Sequence, residues 1–409
     1  MEICEVENCT ACKVCANVCA RNAIKFDKDN LDNIHAYIDS DLCVKCNRCK
    51  KVCPQLNEAK YNQTKYCYAG WSLNEDIRNE GASGGIASEI YNEYLNNNGF
   101  FIGVQMKGNT QPILKIGNDP SSINEFKNSK YVYADSNYVY KDVGKLLKNG
   151  CHVVFIGLPC QVAAMKNYVN IANIDDECLL LVDLICHGVA SYDYLKQHIG
   201  NLENKYSFKT DKCFFRDPYT YTYTFTFTLR NKEKVMYARK VHYDDVYQIG
   251  YHNGIIYREN CYSCMYAQKK RVGDITLADF ASVGTLKPCN YDNKNVSCIL
   301  CNTTKGKKYI EKLYEDAKIF LELRPVEEEW NYEKMLSHPT RIPKERAVFI
   351  KHYSRTKNFD HSMKISARKI LIKNFCNNVL KFNAIRRQIV SYIPSPIKKY
   401  IKNRLYRVL

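Results

Sequence analysis

No apolar run in this chain of 409 residues comes near the length that crosses a bilayer. The longest, Leu179–Ile185 and Val153–Leu158, fall far short of the roughly twenty residues of a transmembrane helix. The N-terminus, Met1–Glu5, also lacks the basic and apolar stretches of a secretory leader. The sequence therefore predicts a cytoplasmic protein, in which the 21 cysteines are reduced thiols rather than a disulfide framework.

Acidic residues are missing from position 361 onward, where twelve Lys or Arg residues stand. Most of the formal charge of +17 belongs to this tail, because the remaining 48 basic and all 43 acidic residues leave +5 on residues 1–360. No motif for nucleic acid accompanies the charge, so we expect no nucleic-acid partner. Apolar residues at helical spacing predict two basic amphipathic helices. These lie either peripherally on an anionic membrane, through residues 361–409 at its inner face, or against the protein itself or an acidic partner.

Two matching runs of four cysteines, each with the spacing C-x-x-C-x-x-C-x-x-x-C, occupy the first 53 residues. Thiolates hold 4Fe–4S clusters, and in this spacing the fourth cysteine of each run crosses to the other cluster. Zinc sites take four ligands in two pairs, which does not explain eight cysteines in two runs of four. The sequence therefore predicts two 4Fe–4S clusters. The predicted ligand sets are Cys9, Cys12, Cys15 and Cys53, and Cys43, Cys46, Cys49 and Cys19.

Between the two runs, the segments Ala23–Phe26 and His35–Asp39 flank a polar turn and predict a β-hairpin. The segment consists of two similar halves, each with one cysteine run and a short strand. This duplication predicts a small ferredoxin domain, in which the clusters replace a hydrophobic core. Cys4 stands outside the pattern, and we expect an ordinary thiol near a frayed end.

Alternating strands and helices after residue 65 predict an open α/β sheet. Two continuous apolar strands, His152–Ile156 and Leu179–Ile185, are each followed by a cysteine, Cys160 and Cys186. If these strands are parallel, both thiols lie at the carboxyl edge of the sheet, where such folds bind ligands.

The pair Cys261-x-x-Cys264 is half of a metal site. The other half is either Cys160 with Cys186 or the pair Cys298-x-x-Cys301. We favour the first, which gives a third 4Fe–4S cluster. Cys298 and Cys301 lie in an apolar run, and residues three apart on a strand point to opposite faces, so these two cannot easily share a metal. Buried structural thiols or a redox disulfide remain the alternative for Cys160 and Cys186.

Three further segments carry weaker patterns. The loop Ser83-Gly84-Gly85 opens a helix, which suits a flavin or nucleotide pyrophosphate but equally a plain glycine-rich helix start. Aromatic residues and threonines alternate over residues 219–228 ahead of Val235–Val241, which predicts an antiparallel hairpin whose aromatic face packs in the protein rather than on a flavin. Residues 305–323 are expected to form a closing helix.

Together these motifs resemble the coenzyme F-420 hydrogenase/dehydrogenase beta-subunit family, in its bacterial branch with an N-terminal two-cluster ferredoxin domain. The resemblance covers about residues 1–305, with departures at Ala20, where a proline is usual, and at Ala281, where a Trp is frequent. Besides the cysteine runs, it rests on residues 81–85, Ser129-Lys130-Tyr131-Val132, Gly157-Leu158-Pro159-Cys160-Gln161, Asp183 to Gly188, Phe215-Arg216-Asp217, and Cys261-x-x-Cys264 with Asp274 to Phe280.

The resemblance implies an iron–sulfur flavoprotein oxidoreductase. A ferredoxin or other low-potential donor passes electrons through the clusters to FAD and on to an unidentified small-molecule substrate, in some relatives within polysaccharide biosynthesis. Lys130, His187 and Arg216 are implied flavin or substrate contacts, beside Ser83, Gly84 and Gly85, and no catalytic residue is assigned. The alternative is an electron-transfer subunit of a larger complex, without a substrate site of its own.

The predicted fold class is α/β, or α+β over the whole chain. A two-cluster ferredoxin-like domain precedes a mixed-sheet α/β flavoprotein domain and a helical basic tail. The expected boundaries are 1–60 for the ferredoxin domain, 61–205 and 206–345 for the N-terminal and the β-rich C-terminal parts of the flavoprotein domain, and 346–409 for the tail.

Overall fold

A computed structural model describes residues 1–219 and 225–378 of the chain. The N-terminal part contains two short helices, α1 (Val14–Asn17) and α2 (Arg48–Val52), and an antiparallel hairpin of β1 (Ile24–Lys28) and β2 (Ile34–Ile38). The hairpin prediction is confirmed.

The two cysteine runs fold alike, as their matching spacing requires. Lys13, just before α1, and Asn47, just before α2, both adopt the left-handed conformation with φ near +60°. Ala11 and Lys45, two residues earlier, do so as well. Each run therefore turns its backbone around its second cysteine, Cys12 or Cys46, in the same way.

Eight strands form the large sheet, in the order β13-β3-β12-β11-β7-β6-β4-β5. They are β3 (Tyr66–Ser72), β4 (Phe100–Lys107), β5 (Gln111–Gly117), β6 (Val153–Gly157), β7 (Leu179–Leu184), β11 (Ile275–Asp279), β12 (Ser297–Cys301) and β13 (Ile319–Arg324). Four consecutive members of this order, β11, β7, β6 and β4, run parallel, and the outer pairings are antiparallel. The α/β fold class with a mixed sheet is confirmed.

A second sheet, of order β10-β9-β8, is built from β8 (Lys212–Phe214), β9 (Thr226–Asn231) and β10 (Lys234–Lys240). The predicted hairpin is present as the antiparallel pair of β9 and β10. Phe227 packs in the core beside this sheet, while residues 220–224 of the predicted aromatic strand lie outside the described residues.

The remaining helices connect and cover the sheets. They are α3 (Glu75–Glu80), α4 (Ile86–Asn96), α5 (Pro120–Phe126), α6 (Val139–Lys148), α7 (Pro159–Ile171), α8 (Tyr192–Tyr206), α9 (Val246–His252), α10 (Thr304–Glu315), α11 (Glu327–Tyr332), α12 (Lys344–Thr356), α13 (Phe359–Ser366) and α14 (Arg368–Asn378). None of the helices described is long and apolar enough to pass through a bilayer.

The large sheet is covered on both faces, and its inner strands β6 and β12 are buried along their whole length for that reason. On one face, Val153 and Phe155 of β6 share a core with helices α6 and α7 and with Cys12 and Val52 of the ferredoxin part. On the other face, Val154 and Ile156 pack with helices α4, α5 and α10. The ferredoxin part therefore sits against one face of the sheet.

The expected closing helix over residues 305–323 is wrong in its second half. Helix α10 ends at Glu315, and residues 319–324 form the edge strand β13, paired with β3. Ala317 makes the break with φ +52°. Phe320 of β13 stacks on Trp71 of β3 at 3.9 Å between ring centroids, so the segment gains packing as a strand.

The predicted tail starts later than residue 346. Phe349 and Tyr353 of α12 and Phe359 and Met363 of α13 are buried in one core with helix α8. Residues 361–367 therefore pack with the protein body and are not available as a membrane-facing helix. Residues 379–409, which carry most of the predicted basic tail, lie outside the described residues.

Candidate functional site

Four of the predicted ligands, Cys9, Cys12, Cys15 and Cys53, are buried together in the ferredoxin part. Burial raises the pKa of the Cys12 thiol to about 12, and the neighbouring Cys53 and Cys9 add to the rise. Burial likewise raises the pKa of Cys15, with contributions from Cys12, Cys9 and Cys53. Cys53 of the second run thus lies among three cysteines of the first, as the predicted crossover requires.

The second group lies nearer the surface. Cys19 and Cys43 both raise the pKa of Cys49, beyond the rise that burial causes, so Cys19 of the first run joins the second run. Cys46 is exposed, whereas its three companions are partly buried. The crossing of Cys53 and Cys19 agrees with the two predicted ligand sets, and the binding of clusters by all eight cysteines stays a prediction.

Cys4 is not a frayed terminal thiol as expected. It is partly buried, next to the fully packed Ile3, and hydrogen-bonds with Cys53 and Cys9, which raises its pKa. The sequence pattern missed this contact because Cys4 has no place in the repeating spacing. In the structure its thiol lies beside the first group.

Cys160, Cys186, Cys261 and Cys264 come from distant parts of the chain and line one cavity. Cys160 is the second residue of helix α7, directly after β6, and Cys186 follows β7. Strands β6 and β7 are parallel, so both thiols lie at the carboxyl edge of the sheet as expected. Burial raises the pKa of Cys160, and Cys186, Cys264, Cys12 and Cys261 all contribute to that rise.

The cavity also touches the ferredoxin part, because Cys12 and Thr10 line it together with those four cysteines. The first and third thiol groups are therefore adjacent. No three His, Cys, Asp or Glu side chains in the described ranges converge closely enough to hold a single metal ion. A cubane spreads its four thiolates around a cluster of four irons, and the thiols around this cavity fit that arrangement.

The competing metal-site half, Cys298 with Cys301, is not near this cavity. Both are buried in the central strand β12 and face opposite cores. Cys298 Sγ lies 3.9 Å from Cys67 Sγ of the neighbouring strand β3. These are structural thiols, and all 21 cysteines are free in the structure.

A buried ion pair fixes the loop after Cys264. Arg271 donates to Asp183 Oδ1 from Nε at 3.2 Å and from Nη2 at 2.9 Å. The backbone N–H groups of Val272 and Gly273 donate to Asp183 Oδ2 at 3.1 and 2.9 Å. Asp183 sits three residues before Cys186, so the pair ties the two halves of the cavity together. A carboxylate inside the apolar run 179–185 was the one sequence signal for it.

Arg258 is a second buried cation, only 1% exposed. Its Nη2 donates to the carbonyl oxygens of Cys9 at 3.0 Å and Ile34 at 2.7 Å. Burial raises the pKa of Cys261 to about 11, and the charge of Arg258 acts against that rise, so Arg258 stands between the first and third thiol groups. Sequence reasoning missed it, because its partners are backbone groups more than 200 residues away.

The predicted flavin loop is tied to the sheet. Ser83 Oγ donates to Val296 O at 3.0 Å, and Gly84 N–H donates to Ser297 Oγ at 2.9 Å. A Cβ at Gly84 would lie 2.6 Å from Gly70 O, so a glycine is required there by packing alone. Gly85 takes φ +82° just before helix α4.

The side chain of Lys130 hydrogen-bonds with backbone carbonyl groups of the protein. Its Nζ donates to four carbonyl oxygens at the end of helix α5, from Glu125 to Asn128, at 2.6 to 3.2 Å. Burial lowers its pKa to about 7. The side chain caps this helix, and its donors are already used.

His187 and Arg216, in contrast, meet around Asp279 at the end of β11. Arg216 Nη1 lies 2.7 Å from Asp279 Oδ2, and its guanidinium covers the ring of Phe225 at 4.5 Å. His187 Nε2 lies 3.5 Å from Glu333 Oε2. Burial acts to lower the pKa of His187, but Glu333 and Asp279 outweigh it, and the pKa is raised. His187 also lines the cysteine cavity. We call Asp279, Arg216, His187 and Phe225 the Asp279 cleft.

The comparisons with known proteins fit this architecture. The model of the 4Fe-4S dicluster domain matches residues 8–57, and that of the C terminus of the coenzyme F420 hydrogenase/dehydrogenase beta subunit matches residues 151–329. The sheet and the thiol groups thus define an iron–sulfur electron-transfer protein. Within that class, the chain is related to the coenzyme F420 hydrogenase/dehydrogenase beta subunits through its residues 151–329.

No curated protein matches the chain. Among solved structures, a chain of the F420-reducing [NiFe] hydrogenase complex from Methanosarcina barkeri, described as a xenon derivative, is 16% identical, with a TM-score of 0.44. The alignment covers 76% of this chain and 90% of that one. This likeness is too slight to support a conclusion about the present chain.

Proposed function

We propose that the chain is an iron–sulfur flavoprotein oxidoreductase. Electrons from a ferredoxin-type donor pass through three 4Fe–4S clusters to FAD and on to a small-molecule substrate. One observation carries the proposal: Cys12 of the first thiol group and all four cysteines of the third line the same cavity. Adjacent clusters in this arrangement give a continuous path from the ferredoxin part to the carboxyl edge of the sheet.

For the flavin, the Asp279 cleft supplies a cation beside an aromatic ring at the sheet edge, and His187 joins it to the cysteine cavity. Bound FAD supplies two-electron chemistry, which the single-electron clusters lack. Arg216 and His187 would hold it. Ser83 and Gly84 already donate hydrogen bonds to Val296 O and Ser297 Oγ, and Lys130 donates to carbonyl oxygens at the end of helix α5. These three residues therefore support the loops around the cleft.

The iron and flavin content of anaerobically purified protein tests the proposal. We expect about twelve irons, as three cubanes require, and one FAD per chain. Cys186→Ser should retain about eight irons and lose the third cluster's spectroscopic signal. Cys151→Ser, a partly buried thiol outside all three groups, is the matched control and should keep the full content. Eight irons in the unmodified protein would remove the third cluster, and absent flavin would remove the oxidoreductase.

A second function is favoured by the family model, which describes a beta subunit. In that case the chain relays electrons within a larger complex and has no substrate site. The purified, loaded protein distinguishes the two functions. Turnover of a small substrate without a partner supports the oxidoreductase, whereas turnover only after a partner is added supports the relay. The resemblance to relatives of polysaccharide biosynthesis makes sugar-linked compounds the first substrates to test.

For the basic tail we propose a peripheral contact with the inner face of the membrane through residues 368–409. These residues carry eleven Lys or Arg and no acidic residue. Sedimentation with anionic liposomes should be lost when residues 379–409 are removed. Equal binding of the full and shortened chains would exclude the contact.

A further inference from the structure

The second thiol group is the one that reaches the surface. Cys46 is exposed, whereas the four cysteines of the first group are buried and those of the third group line a cavity. If the groups hold clusters as proposed, a protein that exchanges electrons with this chain approaches closest at Cys46. The inference below rests on that proposed function.

The segment that contains Cys46 is basic, and the exposed residues Asp41 and Glu58 flank it. Residues 42–57 contain no Asp or Glu, and all four of their cations are exposed. Among the ion pairs within residues 1–219 and 225–378, none involves these cations. They are Lys45, Arg48, Lys50 and Lys51.

The same surface carries apolar side chains. Leu42, Val44 and Leu56 are 41%, 61% and 49% exposed. Val44 lies between two cysteines of the second run, and Leu42 directly precedes that run. Short apolar contacts inside a charged rim are typical of small, transient interfaces, where charge steers the encounter and a dry centre brings the redox groups close. We call residues 42–57 the Cys46 surface.

We propose that the Cys46 surface docks an acidic one-electron carrier protein. Four unpaired cations without a carboxylate among them call for a partner of opposite charge. The three exposed apolar side chains of the same segment offer a small dry contact, which suits a compact protein in a short-lived complex. In each transfer, one electron leaves the carrier, which is oxidised, and reduces the second cluster, or the reverse.

Rapid-mixing kinetics test the docking with the full-length, cluster-loaded protein. The probe is reduced flavodoxin, an acidic one-electron carrier whose oxidation is followed where iron–sulfur clusters absorb weakly. Charge reversal at Lys50→Glu/Lys51→Glu should lower the rate constant at low ionic strength about tenfold or more and flatten its dependence on salt. Reduction by dithionite, a small reductant that needs no docking surface, should not slow down.

The matched control is Lys308→Glu/Lys318→Glu, which changes the net charge equally. Lys308 lies on helix α10 and Lys318 just before β13, with the sheet between α10 and the ferredoxin part. Its rate should stay within about twofold of the unmodified protein, because distant exposed charges are screened. Should Lys50→Glu/Lys51→Glu lose iron, Arg48→Glu replaces it as the test variant.

Three results would overturn the docking proposal. The first is an unchanged rate in the variants of the Cys46 surface, and the second is an equal loss of rate in the Lys308/Lys318 control. The third is that these variants lose binding to anionic vesicles while the flavodoxin rate stays intact, which would assign the surface to a membrane. The reaction reports on the ferredoxin part alone. A missing third cluster or missing flavin would therefore defeat the proposed function and leave this test valid.

Discussion

The guanidinium of Arg258 is buried without a carboxylate hydrogen-bond partner among the described residues. A buried cation of this kind needs negative charge nearby, and cluster-bound thiolates of the first and third groups would supply it. If both groups hold clusters as proposed, a positive charge between them favours their reduced, more negative states. Arg258 would then have an electrostatic role besides its hydrogen bonds.

Arg258→Gln should lower the reduction potential of an adjacent cluster by about 50 mV, because it removes this charge while keeping an amide donor for the carbonyl oxygens of Cys9 and Ile34. Redox titration monitored by electron paramagnetic resonance measures the shift. Arg355→Gln, an exposed residue of helix α12, removes the same charge and should leave the potential unchanged. Equal potentials in the two variants would show that Arg258 has only a packing role.

The ion pair of Arg271 with Asp183 makes a different prediction, about stability. Arg271→Gln leaves a fully buried carboxylate without its cation and should cost about 3–5 kcal/mol of unfolding free energy. Denaturant titration under anaerobic conditions measures the loss. Adding Asp183→Asn to Arg271→Gln removes the unpaired charge and should restore part of the stability. A double variant less stable than the single one would contradict this explanation.

For individual residues, the sequence identifies the functional thiols better than the functional cations. The ligand spacing of Cys9 to Cys53 is local, so the chemistry of the cluster is visible in the sequence. Arg258 and Arg271 contact groups that the fold alone brings near. Lys130 shows the reverse case, since its expected flavin contact gives way to carbonyl oxygens two to five residues away.

Three helices of the C-terminal core meet at His198 of α8. Its Nε2 lies 3.0 Å from Asp245 Oδ2 at the start of α9, and its Nδ1 lies 2.9 Å from Asp360 Oδ1 of α13. Burial acts to lower the pKa of His198, but the two carboxylates outweigh it and raise the pKa to about 10. The imidazolium therefore links α8, α9 and α13.

Because this pKa is raised on folding, the stabilisation is fully present below the unfolded value of 6.5 and is lost as pH rises through about 10. The difference in unfolding free energy between the unmodified protein and His198→Gln should therefore be constant below about pH 6.5 and shrink towards pH 10. Thermal or denaturant unfolding across this range measures it. A difference that grows with pH would mean that His198 is neutral in the folded protein.

Helices and strands were predictable from the sequence where turn-forming residues such as glycine, asparagine or aspartate mark their ends. The hairpin of β1 and β2 and the helix after Gly85 are of this kind. Strand β13 was missed because Ala317, not glycine or asparagine, takes the left-handed turn after α10, so the helical pattern has no visible end. The strand is also defined by stacking on Trp71, a contact that no local pattern contains.

The whole sheet requires strands from outside the family segment 151–329. Strand β3 pairs with both β12 and β13, and β4 pairs with β6. A fragment of residues 151–329 therefore lacks β3 to β5 and exposes the edges of its remaining strands. We expect this fragment to aggregate or to lack cooperative unfolding, whereas residues 1–378, which keep β3 to β5 and the ferredoxin part, should fold. Near-ultraviolet circular dichroism compares them, and a well-folded short fragment would contradict the described pairing.

The placement of β3 also sets an order of events during synthesis. Cys67 in β3 meets Cys298 in β12, which is 231 positions later in the chain. At about 5–20 residues per second, β3 leaves the ribosome roughly 10 to 50 seconds before its partner exists. The cysteine runs, complete by residue 53, can acquire their clusters in that interval, while an apolar strand waits unpaired. The nascent chain is therefore exposed to aggregation until the last strands close the sheet, and a holding chaperone acts most usefully on the segment from 66 to 72.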